Sequence, residues 1–356
     1  MSEKLYLGVK GKFMRLILAL LFLTVLILPI ELDAQTTDVS VPVAVSDREG
    51  HYINGLKKDD FTLFEDGKEQ KITFFATYDE PLNVALLLDT SVSTKETLEK
   101  IKDAAKDFIQ LLNPTDKCLI ATFDARVNLL NSFTSSRETI NYSLDKLQTA
   151  TQDGTVIYNA VEQTIQKSFN KVEGRKAIVL LSDGKDLGSS VTRAKLLNLL
   201  EESEVLIYTV FYKTGAGDNK LVVASDGTVK EIKVDKKPVP IKKPKKKNSD
   251  YTVAIPAQVG LPTEEEIKLT ERKADLDAIN SLQEMSDTTA GRFYLSDTPK
   301  LREVFKKVAD ELRKQYRLGY RSKDAGNDAK VHNIIVKVKR SDAVVRARGR
   351  FRAKQL

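Results

Sequence analysis

The feature that most constrains this 356-residue chain is a run of five apolar residues, 84–88, that ends at Asp89. A strand that is apolar at every position has to be buried on both faces, which is typical of inner strands in a parallel sheet covered by helices. Further apolar strands alternate with amphipathic helical patterns from residue 83 onward. The sequence therefore predicts an α/β fold, doubly wound and Rossmann-like, with a mostly parallel sheet.

The other elements of this α/β region, residues 83–315, follow the same alternation. Strands are predicted at residues 118–123, 177–181, 205–212 and 292–295. Helices are predicted near residues 97–112, 138–147, 156–169, 192–202, 282–290 and 298–312.

Both ends of the chain have the pattern of β structure. In residues 35–80, valines at every second position from Val39 to Val45 indicate a half-buried strand, and residues 61–64 and 72–75 flank a turn and predict a hairpin. Residues 316–356 contain three more strand patterns, at 316–321, 331–338 and 344–348. We expect the two ends to form one smaller all-β domain, with the last strands completing a sandwich begun by the first.

Residues 213–272 interrupt the α/β pattern. They hold five of the ten prolines and show no sustained hydrophobic periodicity. Residues 230–247 contain nine lysines against two acidic residues, which accounts for the whole net charge of +7. We interpret the segment as an exposed, largely flexible Lys/Pro-rich insertion and its lysines as a solvated linker, with no specific nucleic-acid surface.

The N-terminus carries a targeting pattern. Basic residues precede the apolar run 16–30, and Leu32-Asp33-Ala34 follows as an imperfect small-residue cleavage site. Residues 1–34 are thus predicted to be a signal peptide or, if uncleaved, an N-terminal anchor. In both cases the rest of the chain is expected to be extracytoplasmic, periplasmic or secreted, and membrane contact is expected only through an uncleaved N-terminal segment.

Cysteine and histidine usage excludes several kinds of site. A single cysteine, Cys118, cannot form an intramolecular disulfide and is expected to pack as a small buried hydrophobe. The two histidines, His51 and His332, are far apart in the sequence, which argues against a His-based zinc site and a Ser-His-Asp triad. The chain also lacks the glycine-rich phosphate-binding motifs of nucleotide folds.

Three oxygen-rich loops are predicted at one edge of the sheet. The first holds Asp89, Ser91 and Ser93, the second Asp153-Gly154-Thr155, and the third Ser182-Asp183-Gly184 directly after an apolar strand. The carboxyl ends of parallel strands are where such folds bind ligands, and carboxylate and hydroxyl oxygens are hard donors that suit Mg²⁺. The three loops could therefore surround one cation.

With these residues the chain resembles the von Willebrand factor type A (VWFA) domain. The metal-ion-dependent adhesion site of that family has the pattern D-x-S-x-S, then a distant Thr, then a distant Asp, and the matching residues of this sequence are Asp89, Ser91, Ser93, Thr155 and Asp183. The resemblance implies that the three hydroxyls bind Mg²⁺ or Mn²⁺ directly and that the two aspartates bind directly or through water. One metal position would stay open for an acidic group of a protein partner.

The resemblance extends to both chain ends. Residues 55–67 and 81–84 look like the N-terminal part of the exported bacterial VWFA-related family, and residues 316–320 and 344–350 resemble its tail. Two positions depart from the family pattern. Val92 stands where many relatives have glycine, and Asn159 replaces an acid often seen after the Thr loop, but neither is a ligand position.

The alternatives come from different classes of function. An aspartate-nucleophile phosphotransferase also begins with an apolar strand and an aspartate, but it would place a second acid where Ser91 stands. A metal-free scaffold would use Asp89, Ser182 or Thr155 only as helix caps. The set as a whole favours an exported metal-dependent adhesion or interaction module that is not an enzyme.

Overall fold

The computed structural model describes residues 37–77, 80–212, 219–223, 229–233, 264–296, 300–322 and 330–352. The predicted signal or anchor at residues 1–34 lies outside the described residues. Within the part of the chain that is described, no helix combines the length and the apolar character needed to cross a membrane.

Strands begin and end the described chain, and the helices lie between them. The strands are β1 (Thr37–Ser46), β2 (Phe61–Glu65), β3 (Lys68–Gln70), β4 (Ile72–Ala76), β5 (Leu82–Asp89), β6 (Lys117–Phe123), β7 (Val127–Thr134), β8 (Arg175–Ser182), β9 (Leu206–Tyr212), β10 (Asn219–Val223), β11 (Val229–Lys233), β12 (Phe293–Ser296), β13 (Tyr316–Ser322), β14 (Val331–Val338), β15 (Val344–Ala347) and β16 (Arg350–Arg352). The α-helices are α1 (Leu98–Leu111), α2 (Arg137–Asp145), α3 (Ile157–Gln163), α4 (Arg193–Glu202), α5 (Glu264–Thr289) and α6 (Leu301–Leu312).

A six-stranded sheet forms the centre of the molecule, in the order β12-β9-β8-β5-β6-β7. Every neighbouring pair is parallel except β6 and β7, which are antiparallel. The strand order reverses at β5, which pairs with β6 on one side and β8 on the other. The predicted doubly wound, mostly parallel α/β fold is therefore confirmed, with β7 as an antiparallel edge strand that the sequence did not indicate.

The side chains of β5 supply two separate apolar layers. Val84, Leu86 and Leu88 pack in one core with α1, α2 and α6, while Ala85 and Leu87 pack in another with α3, α4 and α5. All five are fully buried. Helices on both faces explain why residues 84–88 of this strand are all apolar.

The two chain ends form a β-sandwich, as the sequence predicts. One sheet has the order β15-β1-β13-β4 and the other β16-β14-β2-β3. The alternate valines of β1 point into the shared core, together with Tyr316, Leu318 and Tyr320 of β13. Each sheet thus combines strands from both ends of the chain.

One predicted pairing in the sandwich is wrong. Asp66 and Gly67 both have positive φ and form a two-residue turn in which Glu65 pairs with Lys68, as expected for an Asp-Gly hairpin. The returning strand is β3, however, and it ends at Gln70. The next strand, β4, crosses to the opposite sheet and pairs with β13, because its apolar residues complete the other face of the sandwich.

The described residues of the segment 213–272 contain more regular structure than the sequence indicates, whereas residues 234–263, with most of the predicted Lys/Pro-rich linker, lie outside the described residues. β10 and β11 form an antiparallel pair, and α5 already begins at Glu264. The described side chains of α5 up to residue 277 are exposed or half-buried, and only from Ala278 onward does the helix contact the core. A helix without an apolar face gives no hydrophobic periodicity, so its first half could not be recognised.

Glu311 of α6 lies at the contact between the α/β region and the sandwich. Its side chain is fully buried and accepts hydrogen bonds from the hydroxyls of Tyr52 and, at 2.9 Å, Tyr208. It also forms ion pairs with Arg292, at 3.2 Å, and with Arg346 of β15. Tyr52 and Arg346 belong to the sandwich side, so a single carboxylate joins the two halves.

We predict that Glu311→Ala lowers the free energy of unfolding by about 3–5 kcal/mol, because the charged and hydroxyl groups around it lose a buried partner. The measurement is urea denaturation followed by circular dichroism. Glu303→Ala, an exposed position of the same helix, is the control and should change stability little. Equal losses in the two variants would show that the buried cluster does not stabilise the fold.

Candidate metal centre

The first loop of the candidate site begins where β5 ends. Asp89 is the last residue of β5, and a 3₁₀ turn follows at Val92–Thr94. The Thr90 N–H donates to the backbone oxygen of Phe123 at 3.0 Å, and the Thr94 hydroxyl donates to the backbone oxygen of Ser91 at 2.8 Å. These bonds hold the loop against the end of β6 and fix the direction of Ser91 and Ser93.

A chain of hydrogen bonds joins the polar side chains of the first and third loops. The Ser91 hydroxyl donates to Asp89 Oδ1 at 2.5 Å and lies 3.1 Å from the Ser93 hydroxyl. The Ser93 hydroxyl donates to Asp183 Oδ2 at 3.2 Å. The structure thus brings four of the five predicted site residues into one connected group.

The fifth residue, Thr155, lies on the second loop, which backbone contacts fasten to the other two. The Ala150 N–H donates to the oxygen of Thr90 at 2.7 Å in the first loop. The Leu187 N–H of the third loop donates to the oxygen of Thr155 at 2.8 Å, and the two residues form an isolated β-bridge. Thr155 is buried at the carboxyl edge of the sheet, and the backbone hydrogen bonds of its loop determine where it lies.

A glycine permits the close approach of the second loop. Gly154 has a φ of +135°, and a Cβ at this position would lie 2.9 Å from the Cβ of Ala125. Both the backbone angle and the available space therefore require glycine next to Thr155.

The third loop leaves β8 at Ser182. Its hydroxyl donates to Asp89 Oδ2 at 2.6 Å and accepts the N–H of Gly184 at 3.0 Å. The Lys185 N–H donates to Asp183 Oδ1 at 3.3 Å, and the Lys185 side chain forms an ion pair with Asp275 of α5 at 2.8 Å. Ser182 therefore fixes the orientation of Asp89 from the neighbouring strand.

The electrostatics of the site favour a bound cation. Burial raises the pKa of Asp89 to about 6; hydrogen bonds from Ser182 and Ser91 oppose this, and the charge of Asp183 adds to it. Two carboxylates close together at a buried edge repel each other, and a divalent cation between them would offset this repulsion. The donors are carboxylate and hydroxyl oxygens, which fit Mg²⁺ or Mn²⁺.

The donor set contains few of the most common metal ligands. Among the described residues no group of three or more His, Cys, Asp or Glu side chains is placed to hold a metal ion. The candidate centre has two carboxylates and depends on hydroxyls for its remaining donors. This composition suits a hard cation and not a thiophilic one.

Sequence reasoning misses two residues of this edge. It identifies Ser182 only as a loop residue or a helix cap, although its place at the end of an apolar strand next to β5 is a usable signal. Tyr212 ends β9, and its hydroxyl is buried without a hydrogen-bond partner among the described residues. Burial, and then the charges of Asp89 and Asp183, raise the pKa of Tyr212 well above its ordinary value, so a protonated hydroxyl lies within electrostatic reach of both carboxylates.

We predict that Ser182→Ala lowers the free energy of unfolding by about 1–3 kcal/mol, because a buried carboxylate oxygen and a buried N–H both lose their partner. Thermal or urea unfolding measures the change. Ser135→Ala, at an exposed position, is the matched control and should stay within about 0.5 kcal/mol of the native protein. A Ser182 variant as stable as this control would contradict the assigned role.

The family model of the von Willebrand factor type A domain matches residues 84–185 of this chain. The match begins in β5 and ends just after Asp183, so it contains all three loops of the candidate site. The resemblance to this domain family is thereby confirmed over these residues. The resemblance of the two chain ends to the exported bacterial family stays a prediction.

Several solved structures are similar to the chain. BatB from Bacteroides thetaiotaomicron is 16% identical, with 65% of this chain and 97% of that chain covered and a TM-score of 0.42. Proximal thread matrix protein 1 from the mussel byssus, with a zinc-occupied metal-ion-dependent adhesion site, is 15% identical over 70% of this chain and 50% of its own, with a TM-score of 0.46. A von Willebrand factor type A protein from Catenulispora acidiphila is 12% identical over 90% and 75%, with a TM-score of 0.43. No curated protein matches the chain.

Proposed function

We propose that this protein is a divalent-metal-dependent protein-binding module whose Mg²⁺ or Mn²⁺ is held by Asp89, Ser91, Ser93, Thr155 and Asp183. The observation that carries the proposal is the hydrogen-bonded chain from Asp89 through Ser91 and Ser93 to Asp183. It joins side chains that lie 90 residues apart in the sequence, and Ser93 within it is exposed and open to a partner.

Each residue has a separate role in this proposal. The hydroxyls of Ser91, Ser93 and Thr155 would be direct ligands, and the two aspartates would bind directly or through water. The two carboxylates only balance the charge of the divalent cation and leave no excess negative charge to repel a carboxylate from a protein partner, which can then take the open position of the metal. Ser182 orients Asp89, and Gly154 lets the Thr155 loop approach.

The phosphotransferase alternative fits the site less well. A nucleophilic carboxylate must reach its substrate, but Asp89 is fully buried and both of its oxygens accept hydrogen bonds, from Ser91 and from Ser182. A metal-free scaffold would need to hold the carboxylates of Asp89 and Asp183 close together with only hydrogen bonds from serine hydroxyls to offset their repulsion. The proposal therefore assigns binding, and no turnover, to this edge.

We predict that the metal-stripped native protein binds Mg²⁺ or Mn²⁺ and that Ser93→Ala and Asp183→Asn each weaken this binding at least about tenfold, because the first removes a donor oxygen and the second removes a negative charge. Isothermal titration calorimetry measures the affinity. Asp153→Asn, an exposed carboxylate of the second loop, is the control and should bind like the native protein. Negligible heat with the native protein, or equal affinity in all variants, would end the metal proposal.

The N-terminal pattern supports an extracytoplasmic location, with the segment 1–34 either cleaved or retained as an anchor. We predict that a reporter that is active only in the cytoplasm stays silent when it is fused after Leu356. The same fusion without residues 1–34 should be active and serves as the control. Strong activity of the complete fusion would contradict export.

A further inference from the structure

The proposed function does not use Tyr212, although this residue lies at the same edge of the sheet as the candidate metal centre. Tyr212 is the last residue of β9 and is fully buried in the core layer that β5 shares with α1 and α6. Its hydroxyl oxygen has no hydrogen-bond partner among the described residues. A buried hydroxyl without a partner costs free energy, so its presence in a folded protein calls for an explanation.

The register of the central sheet places Tyr212 beside Asp183. Ser182 pairs with Phe211 in the last row of β8 and β9, so Asp183 and Tyr212 come next along these two neighbouring chains. Neighbouring strands lie about 4.8 Å apart. Burial raises the pKa of Tyr212 well above its ordinary value, and the charges of Asp89 and Asp183 raise it further, which agrees with this placement. The hydroxyl is therefore within electrostatic reach of both carboxylates that would hold the cation.

Tyr208 shows how a tyrosine with a purely structural role is bound on the same strand. It lies four residues earlier and is fully buried in the same core layer. Its hydroxyl donates to Glu311 at 2.9 Å and accepts the side-chain N–H of Gln315. The Tyr208 hydroxyl thus stabilises the fold, whereas the Tyr212 hydroxyl makes no such contact with the described residues.

The hydration of a bound cation offers the Tyr212 hydroxyl a partner. Mg²⁺ in proteins usually keeps several water ligands. A water whose oxygen faces the metal turns its O–H groups outward, and these groups need acceptors. A tyrosine hydroxyl can accept such a hydrogen bond and donate its own proton to a carboxylate. Asp89 and Asp183 are the carboxylates within electrostatic reach.

We propose that Tyr212 is a positioning residue of the metal centre, whose hydroxyl binds water held by the cation and so strengthens the binding of the hydrated ion. This inference rests on the proposed metal-dependent function. The hydroxyl gains its partner only when the metal is bound. It therefore contributes to metal affinity and not to the stability of the metal-free fold.

Tyr212→Phe and Tyr208→Phe test the proposal, because each removes one hydroxyl from the same core layer. Urea unfolding of the complete exported chain in chelator measures the stability of the metal-free fold. We expect Tyr212→Phe to be at least as stable as the native protein, because it loses a buried hydroxyl that has no partner. Tyr208→Phe should be less stable, because Glu311 and Gln315 lose a buried partner.

Isothermal titration of Mg²⁺ into the metal-stripped proteins should give the opposite order. We expect Tyr212→Phe to bind Mg²⁺ about tenfold more weakly than the native protein, since a residue that supports the ligands of a metal typically affects affinity to this extent. Tyr208→Phe should bind Mg²⁺ like the native protein. A tyrosine with only a structural role would change stability and leave the affinity unchanged.

The possible outcomes separate this inference from the function on which it rests. Absence of Mg²⁺ binding by the native protein would overturn both. Mg²⁺ binding that Tyr212→Phe leaves unchanged, or that both variants weaken equally, would overturn only the role of Tyr212. A loss of metal-free stability in Tyr212→Phe as large as that in Tyr208→Phe would also overturn it, because the hydroxyl would then stabilise the fold itself.

Discussion

The burial of β5 on both faces determines how the rest of the molecule is arranged. Helices must cover both faces of such a strand. A helix that connects two neighbouring strands makes them parallel, and the loops that follow these strands then lie together at the carboxyl edge of the sheet. Asp89 is the last residue of β5 and its one carboxylate, and it is as fully buried as the apolar residues before it. A charged group at this depth needs donors close by, and the hydroxyls of Ser91 and Ser182 provide them. Ser91 thus stabilises the buried charge and is also a proposed metal ligand, whereas Ser182 serves only the first purpose.

Much of the fold and of the site could be predicted from local sequence. Each helix of the α/β part that has a continuous apolar stripe, such as α1 and α6, lies close to its predicted position. The sandwich was predictable because the alternation in β1 requires a partner sheet, and the only other β patterns lie at the far end of the chain. Asp89, Ser91, Ser93 and Asp183 could be placed together because each follows or ends an apolar strand.

The parts that could not be predicted depend on contacts between distant residues. β7 has a mixed burial pattern at the sheet edge, so its sequence does not show strand periodicity. The crossing of β4 to the other sheet depends on pairing with β13, which no local turn specifies. The described side chains of α5 before Ala278 make no core contact that a sequence pattern would reveal, and the place of Tyr212 near the site emerges only when β9 lies beside the end of β8.

The pairing of the two chain ends in the sandwich also sets an order of folding. The Tyr316 hydroxyl donates to the backbone oxygen of Ile53 across a separation of 263 residues, and β1 pairs with β13 and β15. Strands so far apart in sequence pair late in folding, because the long chain between their ends loses conformational entropy when they meet. We therefore expect β1 to stay unpaired while the α/β region folds. During that interval its alternating valines form an exposed apolar face beside unpaired backbone groups, a combination that favours aggregation until the last strands pair with it.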